Sequence, residues 1–166
     1  MTSETVVVGP SDGTAAARLQ SVEPADQEML RRWRNANRAA FLETAEVDPV
    51  GQSRWFAGYL CRDDDFLFLV MAGDAAVGCV GVRLRGPGWD VYNVIRGVRT
   101  PASRGCMGRG LALAVAFALG RRDLPVTAVV LAENPAVGWY LRQGFAIVER
   151  RPQTVLLRWA GAAGQA

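Results

Sequence analysis

Residues 104–110, Arg104-Gly105-Cys106-Met107-Gly108-Arg109-Gly110, lead straight into an apolar stretch from Leu111 to Leu119. A β-like run, Asp90 to Val98, precedes them, so the local order reads strand, glycine turn, helix. Such a junction suits an anion. The first N–H groups of a helix have no internal partner, and the helix dipole is positive at that end. Glycine admits a phosphate close to the main chain, and Arg104 and Arg109 add charge. A plain tight turn before a helix would use the same glycines, so the segment has to be weighed with the rest of the chain.

Composition narrows the classes. At 166 residues the chain has the length of one domain, and half of it is apolar with about a fifth charged, which is globular rather than disordered. The nine-residue run at 111–119 is too short to span a bilayer. Met1-Thr2-Ser3-Glu4-Thr5 is polar and Val6-Val7-Val8 is brief, so no secretory leader is expected. Cys61, Cys79 and Cys106 lack metal-ligand spacing, and reduced thiols in a cytoplasm are the simplest reading. The net charge of +3 rests mostly on scattered arginines. That suits an anionic small ligand, and neither nucleic acid nor a membrane is expected as a partner.

The spacing sets aside two phosphate cradles. The dinucleotide fingerprint needs Gly-x-Gly-x-x-Gly, whereas here the order is reversed, and Gly110-Leu111-Ala112 cannot end a nucleoside-triphosphate loop. The order does resemble the acyl-CoA pyrophosphate loop of the GNAT superfamily of N-acetyltransferases, Arg/Gln-x-x-Gly-x-Gly/Ala. Gly108 and Gly110 fill its last two slots, while Gly105 stands in the Arg/Gln slot and Arg104 one residue earlier. A second segment, Asn134-Pro135-Ala136-Val137-Gly138-Trp139-Tyr140-Leu141-Arg142-Gln143-Gly144-Phe145, resembles the superfamily's later Asn, Tyr-bearing helix and Gly-Phe. Its Tyr-x-x-x-Gly-Phe part is in register, with Asn134 one residue nearer the Tyr than usual. Trp33-Arg34-Asn35, Arg38, Phe41 and Gln52-Ser53-Arg54-Trp55-Phe56 are similar to the branch containing ribosomal-protein N-terminal and amino-sugar nucleotide acetyltransferases.

Along the chain, residues 1–15 read as a loose leader and 16–166 as a single domain. A first strand is predicted at Ala17–Val22. Helices follow from Pro24 to about Asn37 and from Asp48-Pro49 through Trp55, Phe56, Tyr59 and Leu60. Strands at Phe66–Met71 and Ala76–Leu84 form a hairpin about Gly73-Asp74, and a third covers Trp89–Val98. Then come the helix to about Arg122, a strand at Val126–Leu131, a helix at 135–143, and strands at Phe145–Arg150 and Thr154–Trp159. This is an α/β (α+β) pattern: a mixed, mostly antiparallel sheet flanked by about four helices, which is also the order of the GNAT fold.

The residue inventory limits the chemistry. With no histidine the Ser-His and Cys-His nucleophile machines are excluded, as are the usual zinc sites, and no metal is expected. Cys106 beside the glycine turn reads either as a small loop side chain or as a thiol activated by the helix terminus. Direct transfer from a thioester to an amine needs no protein nucleophile. It needs the amine deprotonated, the oxyanion stabilised and the leaving thiolate protonated. An amine of pKa about 10 is roughly one part in a thousand neutral at pH 7, so a base matters.

The resemblance implies acetyl-CoA or another acyl-CoA as co-substrate, a primary amine on a small molecule or peptide as acceptor, and transfer in a ternary complex. It leaves open a GNAT-fold protein that binds acyl-CoA as a sensor or partner without catalysis, and it leaves a homodimer open. By the same likeness the CoA contacts are Val98, Arg99, Arg104, Met107, Gly108, Arg109, Gly110, Leu111 and Asn134, the last being equally a turn and cap residue. Tyr140 would protonate the departing thiolate, or else be a packed aromatic. Glu43, Glu46 and Asp48 between the first two helices, and Asp90 and Tyr92 on one strand face, are candidates for the base or the acceptor site. Trp33 is a candidate for the acceptor mouth.

Overall fold

The apolar run Phe66–Met71 forms the middle of a strand covered on both faces, which is why it shows no polar alternation. Phe68 and Val70 point to one side, and Leu67, Leu69 and Met71 to the other. The computed structural model describes residues 7–9 and 17–161. Its elements are β1 (Val7–Val8), β2 (Arg18–Ser21), α1 (Gln27–Ala36), α2 (Pro49–Leu60), β3 (Asp65–Ala72), β4 (Ala75–Arg85), β5 (Gly88–Arg96), α3 (Cys106–Arg121), β6 (Val126–Leu131), α4 (Ala136–Arg142), β7 (Phe145–Arg150) and β8 (Thr154–Trp159). The strands make one sheet in the order β1-β2-β3-β4-β5-β6-β8-β7. Only β5 and β6 run parallel among the described strands. The mixed, mostly antiparallel sheet with four helices agrees with the expected architecture.

Helices α3 and α4 cover one face of the sheet over Phe68, Val80, Val82, Trp89, Leu111 and Tyr140. Helices α1 and α2 cover the other over Leu30, Phe56, Leu69, Cys79 and Ile95. The inner face of α3 sets small residues between the bulky Met107, Leu111 and Val115. Ala114 and Ala118 are fully buried, and a Cβ on Gly110 would lie 2.7 Å from Val70. The helix therefore sits close on the sheet, with dispersion contacts along its length.

Three boundaries differ from the sequence expectation by more than a residue or so. The helix read from Pro24 opens with a 3-10 turn, Pro24–Asp26, and α1 starts at Gln27. Val7-Val8, inside the segment read as a leader, pairs antiparallel with β2. The rest of that segment, apart from Gly9, lies outside the described residues, as do residues 162–166. The strand read to Val98 ends at Arg96, because the amides of Gly97 and Val98 both turn onto the Val77 carbonyl.

Candidate active site

A break in the middle of the sheet creates the site. Between β4 and β5 the register shifts: Cys79 faces Ile95 and Gly81 faces Tyr92, so β5 carries one extra residue there. Asn93 takes it up with φ of 47°. On the other edge, β5 and β6 pair only from Trp89–Val126 to Val91–Ala128. Beyond that point β5 continues with β4, and β6 with β8, so the two strands part. Two clefts open along this split.

The first cleft, of about 540 Å³, lies at the start of α3. Gly105 precedes the helix with φ of 75°, in the left-handed region that suits glycine. The Arg109 amide closes the first turn on the Gly105 carbonyl at 3.2 Å. Met107 and Gly108 line the cleft ahead of that turn, where an amide has no acceptor in its own helix. The expected stretch Met107 to Leu111 is therefore too long. The amides of Gly110 and Leu111 lie inside the helix, Leu111 is fully buried, and Gly110 serves contact with Val70. The positive charge in the cleft comes from one expected residue, Arg99, and from two others. Arg109 folds back onto the Arg104 carbonyl at 3.2 Å, and neither arginine lines the cleft; Arg96, Arg99 and Arg142 do. The Val98 amide, expected to face the ligand, is spent on Val77 at 2.9 Å. Cys106 is fully buried.

The second cleft, of about 550 Å³, follows the parting strands on the side of α1 and α2. Tyr140 lines both clefts. Its ring is held edge-on by Trp139 and Phe145 at centroid distances of 5.1 and 5.2 Å, and it is 5% exposed. The hydroxyl makes no hydrogen bond to a described residue. Burial pushes its pKa well above the ordinary tyrosine range, and the negative charge of Asp90 adds to the shift. Asn134 also lines both clefts. Its Oδ1 accepts the Ala136 amide at 2.9 Å, capping α4.

The carboxylate candidates separate. Glu43 is exposed and lines the second cleft with Tyr140 and Asp90. Asp90 binds Arg83 at 2.9 Å and Arg85 at 3.9 Å. Tyr92 lines the cleft too, but its hydroxyl donates to the buried Asp65 carboxylate. Burial, then that carboxylate, hold its pKa far above the usual value. Glu46 and Asp48 line instead a third cavity of about 450 Å³ beneath α1 and α2. Glu46 pairs with Arg38 at 3.6 Å, and Asp48 caps α2 by accepting the Gly51 amide at 2.6 Å. Trp33 lines none of the three cavities. Its indole packs over Gly97, where a Cβ would lie 2.0 Å from the ring, because that face of α1 is the one turned to the sheet.

Sequence reasoning missed Arg34, Phe41, Arg96 and Arg142 as cleft residues. Arg34, Phe41 and Arg142 stand in the very segments that carry the motifs, which was the available signal. Among the described residues no group of three His, Cys, Asp or Glu side chains could hold a metal, and no helix is long and apolar enough to cross a membrane.

No protein-family model and no curated relative matches the chain. Solved structures do. FdhC, a nucleotide-linked sugar GNAT, is 15% identical with a TM-score of 0.73, over 87% of this chain and 86% of that one. An acetyltransferase from Thermus thermophilus is 21% identical with a TM-score of 0.68, over 87% and 96%. Spermidine N-acetyltransferase from Vibrio cholerae, solved with CoA and spermine, is 20% identical with a TM-score of 0.66, over 86% and 94%. These are GNAT-family acetyltransferases, and the fold of this chain is the GNAT fold.

Proposed function

We propose that the protein is an acyl-CoA-dependent N-acyltransferase that passes an acetyl group from acetyl-CoA directly to a primary amine. The observation that carries this reading is Tyr140, a buried phenol that lines both clefts and whose hydroxyl has no partner among the described residues. The first cleft fits the pyrophosphate end of CoA. It offers the amides of Met107 and Gly108 at a helix N-terminus and three arginines, none within ion-pair distance of a carboxylate among the described residues. The parted strands leave a slot for the pantetheine arm, and the second cleft receives the amine.

The amine nitrogen bonds to the thioester carbonyl carbon and the carbon–sulfur bond breaks. Tyr140, kept protonated by burial, gives its proton to the departing thiolate and regains one from the nitrogen of the new amide. Glu43 is the carboxylate best placed to attract the ammonium and accept its proton, directly or through water. The acceptor of the Vibrio cholerae neighbour supports a primary amine as the substrate class. The test has two steps: calorimetric titration of acetyl-CoA, then thiol release against a panel of amines. Binding with amine-dependent thiol release is the expected result. Binding without release for any amine points to an acyl-CoA-binding protein that lacks catalysis.

A further inference from the structure

The third cavity takes no part in the transfer step, yet its walls carry polar groups that the fold leaves unmatched. It shares Arg34, Trp55 and Asn93 with the second cleft, so the two adjoin. The Arg34 guanidinium is stacked on the Phe41 ring, 3.3 Å from its centroid, and among the described residues donates only to the Glu43 carbonyl at 3.4 Å. No carboxylate lies within ion-pair distance of it among the described residues. Burial without a paired anion pulls its pKa below the ordinary arginine value. Gln52 is 8% exposed, and its side-chain amide hydrogen-bonds to no described residue. Gln52 is one of the residues that line the cavity. The Asn93 side chain, at the β5 bulge, also makes no hydrogen bond to a described residue.

A half-buried guanidinium, which only donates, and two amides, each with two N–H donors beside its carbonyl oxygen, leave an excess of donors unmatched. The acids on the same wall are already engaged, Glu46 by Arg38 and Asp48 by the end of α2. A carboxylate completes the set, since its two oxygens match the planar arginine fork and accept further donors from the amides. Building on the transferase reading, we propose that this cavity binds the carboxylate of the acceptor. The preferred substrates are then amines that also carry a carboxylate, amino-acid-like or peptide-like, rather than polyamines.

The test separates this site from the chemistry. An N-acetylated amino acid, which has a carboxylate but no free amine, is titrated against the full chain in the presence of CoA. It should bind, and both Arg34→Gln and Gln52→Leu should weaken it at least tenfold while acetyl-CoA affinity stays within twofold. Spermidine and inorganic phosphate serve as the other probes. In the kinetic arm, the ratio of kcat/KM for an amine with a carboxylate to the matched amine without one should exceed ten and fall towards one in Arg34→Gln. Binding that neither variant changes, or spermidine or phosphate binding more tightly than the carboxylate, would overturn the proposal. If the carboxylate ligand binds through Arg34 but no amine is acylated, the transferase reading fails and the site stands.

Discussion

The Asn134 side-chain amide donates to the Ala40 carbonyl at 3.4 Å, joining the connection between α1 and α2 to the start of α4. Both residues line both clefts, so the bond crosses the junction at which Tyr140 stands. The same side chain caps α4 through the Ala136 amide. Replacing Asn134 with alanine should therefore cost about 1 kcal/mol as a lost cap. For a chain of this length that lowers Tm by about 2–4 °C. Asn134→Ser should recover most of the loss, because serine also caps. An unchanged Tm in the alanine variant would show that the cap contributes nothing, and a tenfold loss of acetyl-CoA affinity in both variants would give Asn134 a ligand role as well.

Two glycines of one motif should behave in opposite ways. A Cβ on Gly108 meets the Gln143 side-chain oxygen at 2.5 Å, the movable end of a flexible chain. Gly108→Val should keep near-native stability but weaken CoA at least tenfold, because its branches fill the first cleft. At Gly110 the obstacle is Val70, at 2.7 and 2.9 Å within the core. Gly110→Ala should overpack that contact and cost about 1–3 kcal/mol. Denaturant unfolding and calorimetry on the two variants check both halves. Equal stability loss at the two positions would sink the division of labour.

That division also shows what the sequence could not convey. A glycine looks the same whether it admits a phosphate, as Gly108 does in the proposed site, or a neighbouring strand, as Gly110 does. The element order was legible because periodicity and turn residues mark it, down to the Thr154–Trp159 strand. The bulge at Asn93 was not, since neither glycine nor proline signals it, and it decides which side chains of β5 face which cleft. The cavity beneath α1 and α2 was equally hidden. Arg34, Gln52 and Asn93 come from three separate elements, and only the packed fold brings them together.

Tyr140→Phe tests the proposed acid. The hydroxyl makes no hydrogen bond to a described residue and the ring packing survives, so stability and CoA affinity should hold. General acid catalysis contributes typically about 10²–10⁴-fold, and kcat should fall within that range. Burial keeps the wild-type phenol protonated, so kcat should show no alkaline decline from this group in the ordinary tyrosine range near pH 10. A loss below threefold, with acylation shown to be rate-limiting, makes Tyr140 a packing residue.

Alkaline stability should report Cys79. Burial, the largest cause, pushes its thiol from 9.0 up to about 12. Above pH 9 the unfolded chain releases this proton while the folded chain keeps it, so the unfolded state binds fewer protons and stability falls as pH rises. The stability present below pH 9 is lost progressively towards pH 12. In Cys79→Ala the decline between these limits should be shallower, though the variant starts lower from the lost packing. Parallel Tm–pH curves for the two proteins would remove the thiol as the cause.

Glu43 is the last point at which the site can be divided. Of the three carboxylates between α1 and α2, it alone shares a cleft with Tyr140. Glu46 and Asp48 face the neighbouring cavity, one paired with Arg38 and the other capping α2. Glu43→Gln keeps the side-chain shape but removes the charge that attracts an ammonium and the oxygen that takes its proton. It should lower kcat/KM for the amine at least tenfold with acetyl-CoA affinity unchanged. If Glu43 acts as a base, the acid limb of the pH–rate profile should change with it. Asp48→Ala should instead cost about 1 kcal/mol of stability as a lost cap, with amine kinetics nearly intact. Should Glu43→Gln leave the amine kinetics untouched, the base has to be sought at Asp90. That residue lines the same cleft, and Arg83→Gln would then remove its shorter ion pair, leaving Arg85 at 3.9 Å, and alter the pH profile in place of Glu43.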